Sequence, residues 1–438
     1  MIPKKVEAIM RSLLDNGYEA YIIGGAVRDY IMGIKPNDWD VFTNATGDEI
    51  LSIFPHGTVI GGDKRRAKIL TVIVDGVEVS QYRSNGDRTK TGTSLEQHLS
   101  TCDFTINSMA MDIDRKLINT RYGAAHIQSK CLYCEGDPKD RIEEDKLRAL
   151  RAIRFAVKYN LSIEKKLSRI IYYLDITDVP VERIREEMLK IFKYNDGLEM
   201  LYNANLISKI VPEFELSSSL GGGKHHSETV DQHMFNAQDI ACELTDNPIL
   251  IFACAFHDIG KPTTQEPKDD GDISFHNHEK VGAEMIHNIM NRMKFSKNDT
   301  KFVETLISEH MFGHYHNISD KAFVKHFKLL EDAGVSINDF VIMQYSDNQA
   351  NTKNKRIKFG DYLNQNKIIK KYYEMKFSST PFQISDIAIS GNDVINAGIP
   401  IGAEIGNVLR EIFEKVVDGD IENERHALMR YLKTREIR

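Results

Sequence analysis

The sequence predicts a multidomain chain, with a small mixed α/β head followed by a remainder that is helical almost throughout. Three observations point there. The 438 residues exceed what one compact core usually accommodates. Short apolar strand patterns alternate with helical ones over roughly the first 130 residues, which fits a head with a few-stranded sheet. From Arg141 onward, apolar residues recur every three or four positions, as at Leu147, Leu150, Ile153 and Val157, which is helical spacing.

In chain order, the head reads as helix Lys4 to Asn16, strand Ala20 to Ile23, short helix Ala26 to Met32, strand Trp39 to Phe42 and helix Gly47 to Phe54. Strands near Ala67 to Val74 and Val77 to Tyr82 follow, and the polar, glycine-containing stretch Ser84 to Ser94 reads as a mobile loop. Gly221-Gly222-Gly223 is the clearest linker, and Ser378-Ser379-Thr380-Pro381 marks another break. The expected segments are a head at 1–135, a helical neck at 136–200, a body and linker at 201–224, a histidine-rich helical domain at 225–377 and a helical tail at 378–438.

Composition narrows the function classes. Hydrophobic residues at 41% and charged residues at 28% are ordinary for a globular protein. No apolar stretch reaches the length of a membrane span, and MIPKKVEAIM lacks a signal peptide's apolar run. A cytoplasmic protein without membrane association is expected. The five cysteines show no disulfide framework, and Cys131-x-x-Cys134 has no second pair at zinc-site spacing, so reduced thiols are expected. A net charge of -7 leaves RNA contacts to local patches. Candidates are Lys64 to Arg66, the run Lys353, Lys355, Arg356 and Lys358, and Lys367 to Lys376 with Tyr372 and Tyr373 interleaved.

The chemistry concentrates early. Asp38 and Asp40 flank Trp39, and residues i and i+2 of a strand project to one side, where two carboxylates can hold Mg²⁺. Glu78 on a later strand is a weaker third candidate. Upstream, Gly24 and Gly25 allow backbone N–H groups to approach a polyphosphate, and Arg28 adds a planar multi-donor cation. These parts suit nucleotidyl transfer, where metal ions stabilise the attacking and leaving oxygens.

GGAVRDYIMGIKPNDWDVFTNAT, Gly24 to Thr46, resembles the nucleotidyltransferase superfamily that includes DNA polymerase beta. It is closer to its class II tRNA nucleotidyltransferase (CCA-adding enzyme) and bacterial poly(A) polymerase branch. RIEEDKLRALRAIRFA, Arg141 to Ala156, resembles that branch's base-selecting neck motif. The resemblance puts Asp145 and Arg148 at base-contacting positions, with Glu144 in support. A carboxylate accepting from an exocyclic amino group and a guanidinium donating to an unprotonated ring nitrogen accept C and A but leave unpaired groups against U and G.

CDFTINSMAMD, Cys102 to Asp112, resembles the motif whose aspartate meets the ribose, here Asp103. It departs from the branch in carrying Thr101 and Cys102 where two arginines usually stand, and Gln97-His98 in place of an acidic dipeptide. Arg83 or Arg88 are candidates to replace the missing cations. Ile389 to Phe413, with Gly391, Asp393, Gly398, Gly402 and Gly406, and Asn423 beyond, resembles the branch's tail, which implies a tRNA-docking scaffold.

His257-Asp258, with His233 upstream and Asp347 downstream, supplies imidazole and carboxylate ligands for a divalent metal and resembles the HD-domain superfamily of metal-dependent phosphohydrolases. His276, His278 and His310 are candidates for a second metal position or a phosphate contact.

The resemblance implies template-independent addition of CCA to the 3′ end of tRNA from CTP and ATP, with Mg²⁺ in the head and a second divalent metal in the HD domain. Open alternatives are a poly(A) polymerase, a CC-only or A-only enzyme and, from another class, an HD phosphohydrolase with a regulatory nucleotide-binding head. Oligomeric state is left open.

Overall fold

The computed structural model describes residues 2–63, 68–84, 87–91, 94–119, 122–221, 227–269, 272–313, 318–377, 381 and 384–434. The basic run Lys64 to Arg66, Gly222, Gly223 and Ser378 to Thr380 lie outside the described residues, as does the side chain of Arg88. The chain forms two compact units, Met1–Ile191 with Met200–Lys209, and Phe192–Glu199 with Ile210–Arg438.

The first unit opens with α1 (Lys4–Asp15), β1 (Tyr21–Ile23), α2 (Gly25–Ile31), β2 (Val41–Thr43) and α3 (Gly47–Ile53). It continues through β3 (Thr58–Asp63), β4 (Lys68–Val74), β5 (Val77–Gln81), β6 (Arg83–Ser84), β7 (Asp87–Thr91), α4 (Leu95–Leu99), β8 (Met109–Met111) and β9 (Leu117–Asn119). The sheet order is β3-β4-β5-β2-β1-β8-β9. Its apolar face packs on α1, whose Val6, Ile9, Met10 and Leu13 form one stripe at helical spacing against Ile22, Val41, Val72 and Val79. Thr46 and Glu49 close a capping box that starts α3 just beyond β2.

Two expectations are corrected here. The strand expected to carry the acidic pair begins at Val41, so Asp38 and Asp40 sit in the segment leading into it. The stretch expected as a loop contains the antiparallel pair β6 and β7. Its polar composition hid this, because it carries none of the apolar alternation from which a strand is read.

After α5 (Gly123–Gln128) come α6 (Pro138–Glu144), α7 (Arg148–Tyr159), α8 (Lys165–Tyr173) and α9 (Val181–Ile191). The neck, expected as one helix through Glu144, Asp145 and Arg148, is broken at Asp145, which is extended at φ -153° and ψ 100°. Its carboxylate accepts from the Leu147 N–H (3.2 Å), an Asx-type local bond that competes with helix continuation.

In the second unit, helix Pro248–Phe256 is apolar on every side, and Leu250 to Phe256 are all buried. A helix without a polar face belongs at the centre of a bundle. Helices Val230–Leu244, Lys297–Glu309 and Ile337–Ala350 surround it. In the tail, Asp393 caps its helix through Ser390 and pairs with Arg425, while Asn423 bridges the Ala388 N–H and the Asp386 carbonyl.

Asp239 offers a stability test in this unit. Burial, with Asp196, Glu199 and Glu243 nearby, raises its pKa from 3.8 to about 7 even though the Asp196 N–H donates to it (2.7 Å). A folded pKa above the unfolded one means the native state holds an extra proton between those values, so stability falls as pH rises through that window. Asp239→Asn is expected to leave the melting temperature unchanged near pH 4 and to raise it progressively up to about pH 7, with a constant gain beyond. Thermal melts across pH check this.

Candidate active site and metal centre

The head's acidic cluster follows from strand pairing. β2 and β5 run parallel with Val41 opposite Val79, so Asp40 and Glu78, each one residue earlier, stand at the same level on neighbouring chains. Asp40 is half-buried, while Asp38 and Glu78 are exposed. Burial, then Glu78, then Asp38 raise the Asp40 carboxyl from 3.8 to about 6. A half-buried carboxyl raised by two neighbouring acids fits a divalent-ion site.

Gly24 begins α2 at φ 78°, a left-handed conformation that side chains disfavour. Arg28 is only 6% exposed. It donates from Nη1 to Asn107 Oδ1 (2.6 Å) and from Nε to Asp29 Oδ1 (2.8 Å). Its guanidinium lies over the rings of Tyr159 (4.5 Å) and Phe155 (5.2 Å). The planar cation is thus fixed in place before any ligand arrives.

A cleft of about 740 Å³ within the first unit gathers Gly24, Gly25, Arg28 and Asp40 from the head, Asp103 below them, and Glu144, Asp145 and Arg148 from the neck. Asp103 is 9% exposed. It accepts from the Phe104 N–H (2.9 Å), from Asn107 Nδ2 (2.8 Å) and, on Oδ2, from Arg151 Nε (2.8 Å) and Nη2. Burial pushes its pKa up, but Arg151 and these donors outweigh burial and hold it below the usual value.

Without a bound base, each member of the neck trio is held by partners of its own. Glu144 Oε2 accepts from Arg148 Nη1 (2.7 Å) and from Arg141 Nη1 (2.5 Å), whereas Asp145 Oδ2 accepts from Arg183 Nη2 (3.0 Å) on α9. At the helix break the two side chains take separate partners, while the Arg148 main-chain N–H donates to the Asp145 carbonyl (3.0 Å). Arg141 also donates to the carbonyls of Thr101 (2.9 Å) and Cys102 (2.7 Å). Arg83 lines the cleft as well.

Arg141, Arg151, Arg183 and Asn107 were not singled out as site residues by sequence reading. Arg151 alone left a signal, since it stands three residues after Arg148 on the same helical face. Replacing Arg151 with Met would strand a buried carboxylate, and a loss of roughly 2 to 3 kcal/mol of stability at neutral pH is expected. Chemical denaturation checks this, and adding Asp103→Asn should restore part of the loss.

The second unit brings six candidate ligands together. The central apolar helix ends at His257 and Asp258, and the helices around it contribute His233, His278, His310 and Asp347. His233 Nε2 is 3.0 Å from Asp347 and 3.7 Å from Asp258, and His257 Nε2 is 3.5 Å and 3.4 Å from the same two. On the other side, His278 Nε2 lies 3.3 Å from Asp258 and 3.2 Å from His310 Nε2. Candidate ligand atoms therefore form two groups, His233, His257 and Asp347, and Asp258, His278 and His310. Asp258 faces both. His276, considered for the second position, is exposed and outside the cluster.

The imidazoles are oriented from behind. Nδ1 of His257, His278 and His310 each lies 2.7 to 2.9 Å from a backbone carbonyl, of Cys254, Phe275 and Ile307, and Nδ1 of His233 lies 3.2 Å from Glu228 Oε1. With Nδ1 of each ring held from behind, Nε2 of each faces the cluster, the arrangement of metal-bound histidines. His257 Nε2 is buried without a hydrogen bond. Burial, then His257 and His278, lower the pKa of His310 to about 3. These residues can hold divalent cations.

The Poly A polymerase head domain model matches residues 20–133, the HD domain model 230–357, and a model described as the probable RNA and SrmB-binding site of polymerase A matches 166–217. The CCA-adding enzyme of Lactobacillus helveticus is 25% identical over 98% of this chain and 96% of its own. The chain belongs to the tRNA nucleotidyltransferase and poly(A) polymerase family. Within that family, the CC-adding tRNA nucleotidyltransferase of Halalkalibacterium halodurans is 27% identical over 99% of this chain and 98% of its own. Poly(A) polymerase I of Salmonella typhi is 31% identical over 55% and 57%. The fold is shared with the Bacillus stearothermophilus CCA-adding enzyme in complex with CTP, at a TM-score of 0.65 and 20% identity over 99% of this chain and 97% of that one.

Proposed function

We propose that this enzyme adds CCA to the 3′ end of tRNA from CTP and ATP, without a template, releasing pyrophosphate. The observation that supports it best is the single cleft joining the Gly24-Gly25 turn and Asp40 to Asp103 and the neck residues Glu144, Asp145 and Arg148. Asp38 and Asp40, with Glu78 beside them, would hold Mg²⁺. An ion held by these carboxylates would supply a Lewis acid for the primer 3′-hydroxyl and positive charge for the departing pyrophosphate.

The chain's own residues do the rest. The amides at Gly24 and Gly25, with Arg28, grip the triphosphate. Asp103, locked by Arg151 and Asn107, positions the ribose. Asp145 accepts from the amino group of C or A while Arg148 donates to the neighbouring ring nitrogen. The Glu144 and Arg183 contacts reduce the side-chain freedom lost when the base binds.

Offering tRNA that ends before CCA with CTP alone, with ATP alone and then with both together tests this reading, the outcomes being read from the mixture. Two C additions followed by one A are expected. A long A tail, or incorporation of C alone or A alone, identifies the corresponding alternative instead. The six-ligand cluster supports a second, metal-dependent phosphohydrolase activity in the HD domain. Release of phosphate from phosphate esters by the Mn²⁺-loaded protein, absent after chelation, is its test.

A further inference from the structure

His98 is one of the positions at which this chain departs from the family pattern, and its surroundings give it a defined chemical state. The residue is 5% exposed. Its ring packs against Phe42 (4.5 Å between centroids) and Tyr82 (5.9 Å). Phe42 stands two residues after Asp40. The Arg83 main-chain N–H donates to His98 Nδ1 (3.1 Å).

An imidazole nitrogen that accepts carries no proton, so the ring is the neutral tautomer with its hydrogen on Nε2. Burial, then the nearby Arg83, lower the His98 pKa to about 4, which keeps that tautomer across physiological pH. His98 lines the cleft with Asp40, Arg28 and Thr101, and among the described residues nothing accepts from its Nε2–H. A donor prepared in this way needs an acceptor.

We propose that His98 Nε2–H donates to a phosphate oxygen of the incoming nucleoside triphosphate, beside the head's paired carboxylates. The proposal rests on the nucleotidyl-transfer reading. Polyphosphate is the acceptor that fits best, because the cleft around His98 carries Arg28, Arg83 and Arg141 and is therefore built for anionic oxygen. The arginine pair of the family, missing here at Thr101 and Cys102, disappears together with the acidic dipeptide. A neutral donor at the second dipeptide position keeps a hydrogen bond to the phosphates without adding charge.

The test uses the full chain and a tRNA lacking CCA, with steady-state constants for CTP and for tRNA measured separately, and CTP affinity measured at equilibrium. His98→Phe keeps the ring packing and removes the donor. It is expected to raise the KM and Kd for CTP about tenfold, leaving the KM for tRNA unchanged. His98→Gln, whose amide places an N–H near the Nε2 position, is expected to recover most of that loss. His98→Leu serves in place of the Phe variant if the latter melts early.

Unchanged CTP affinity in the folded apolar variants overturns the proposal. So does a rise confined to the KM for tRNA, which assigns the donor to the primer, or an equal loss in His98→Gln, which marks a packing role. A wild-type protein that transfers no nucleotide refutes the underlying reading, and the inference falls with it.

Discussion

Asp40→Ala is expected to lower the single-turnover rate of CTP incorporation by about a thousandfold or more, since electrostatic stabilisation of a transferring phosphoryl group is among the largest catalytic contributions. Asp40 is the half-buried member of the cluster and the only one of the three acids that lines the cleft. Neither neighbour can take its place. Asp38 is exposed in the segment before β2, and Glu78 reaches the site from another strand.

The same change removes a carboxyl raised to about 6 by burial, Glu78 and Asp38. The metal-free variant should therefore be at least as stable as the parent at pH 8, where the parent must keep that acid ionised against the shift. Magnesium should raise the melting temperature of the parent and not of the variant. A folded Asp40→Ala protein with parental incorporation rates would remove the metal assignment.

Asp258→Ala is expected to strip the second unit of bound divalent metal while nucleotide incorporation continues. Asp258 is 1% exposed, and its two oxygens face different histidine groups, Oδ2 toward His233 and His257 and Oδ1 toward His278 and His310. Losing it removes a carboxylate from both groups at once, whereas losing His278 touches one. Lys261 Nζ, 2.6 Å from Asp258 Oδ2, is then left buried without its partner, and a fall in stability of about 3 kcal/mol is expected.

Metal analysis of the parent, Asp258→Ala and His278→Ala separates these cases. The expected order of metal content is parent, then His278→Ala, then Asp258→Ala. Equal metal content in all three would show that the cluster is a structural hydrogen-bond network.

The α/β head, the acidic pair, the glycine turn and the His257-Asp258 pair were legible because each is written in short, ordered stretches. Gly24 to Thr46 is one such stretch, and His257-Asp258 closing an apolar run is another. The pairing of β6 with β7 was not legible, since polar strands carry no alternation. Nor was the break at Asp145, because apolar periodicity resumes beyond it at Leu150 and Ile153 and conceals a local side-chain bond that stops the helix.

By itself, the sequence determined which chemical groups this protein possesses and roughly which elements bear them, since strand and helix periods are local properties of the chain. The tertiary structure alone decided who touches whom. It gave Asp145 to Arg183 and Arg148 to Glu144, locked Asp103 with Arg151, set Glu78 beside Asp40, and placed Asp258 between two histidine groups. Those choices depend on contacts between residues far apart in the chain. Packing, burial and the pairing of desolvated charges settle such contacts only when the whole unit folds.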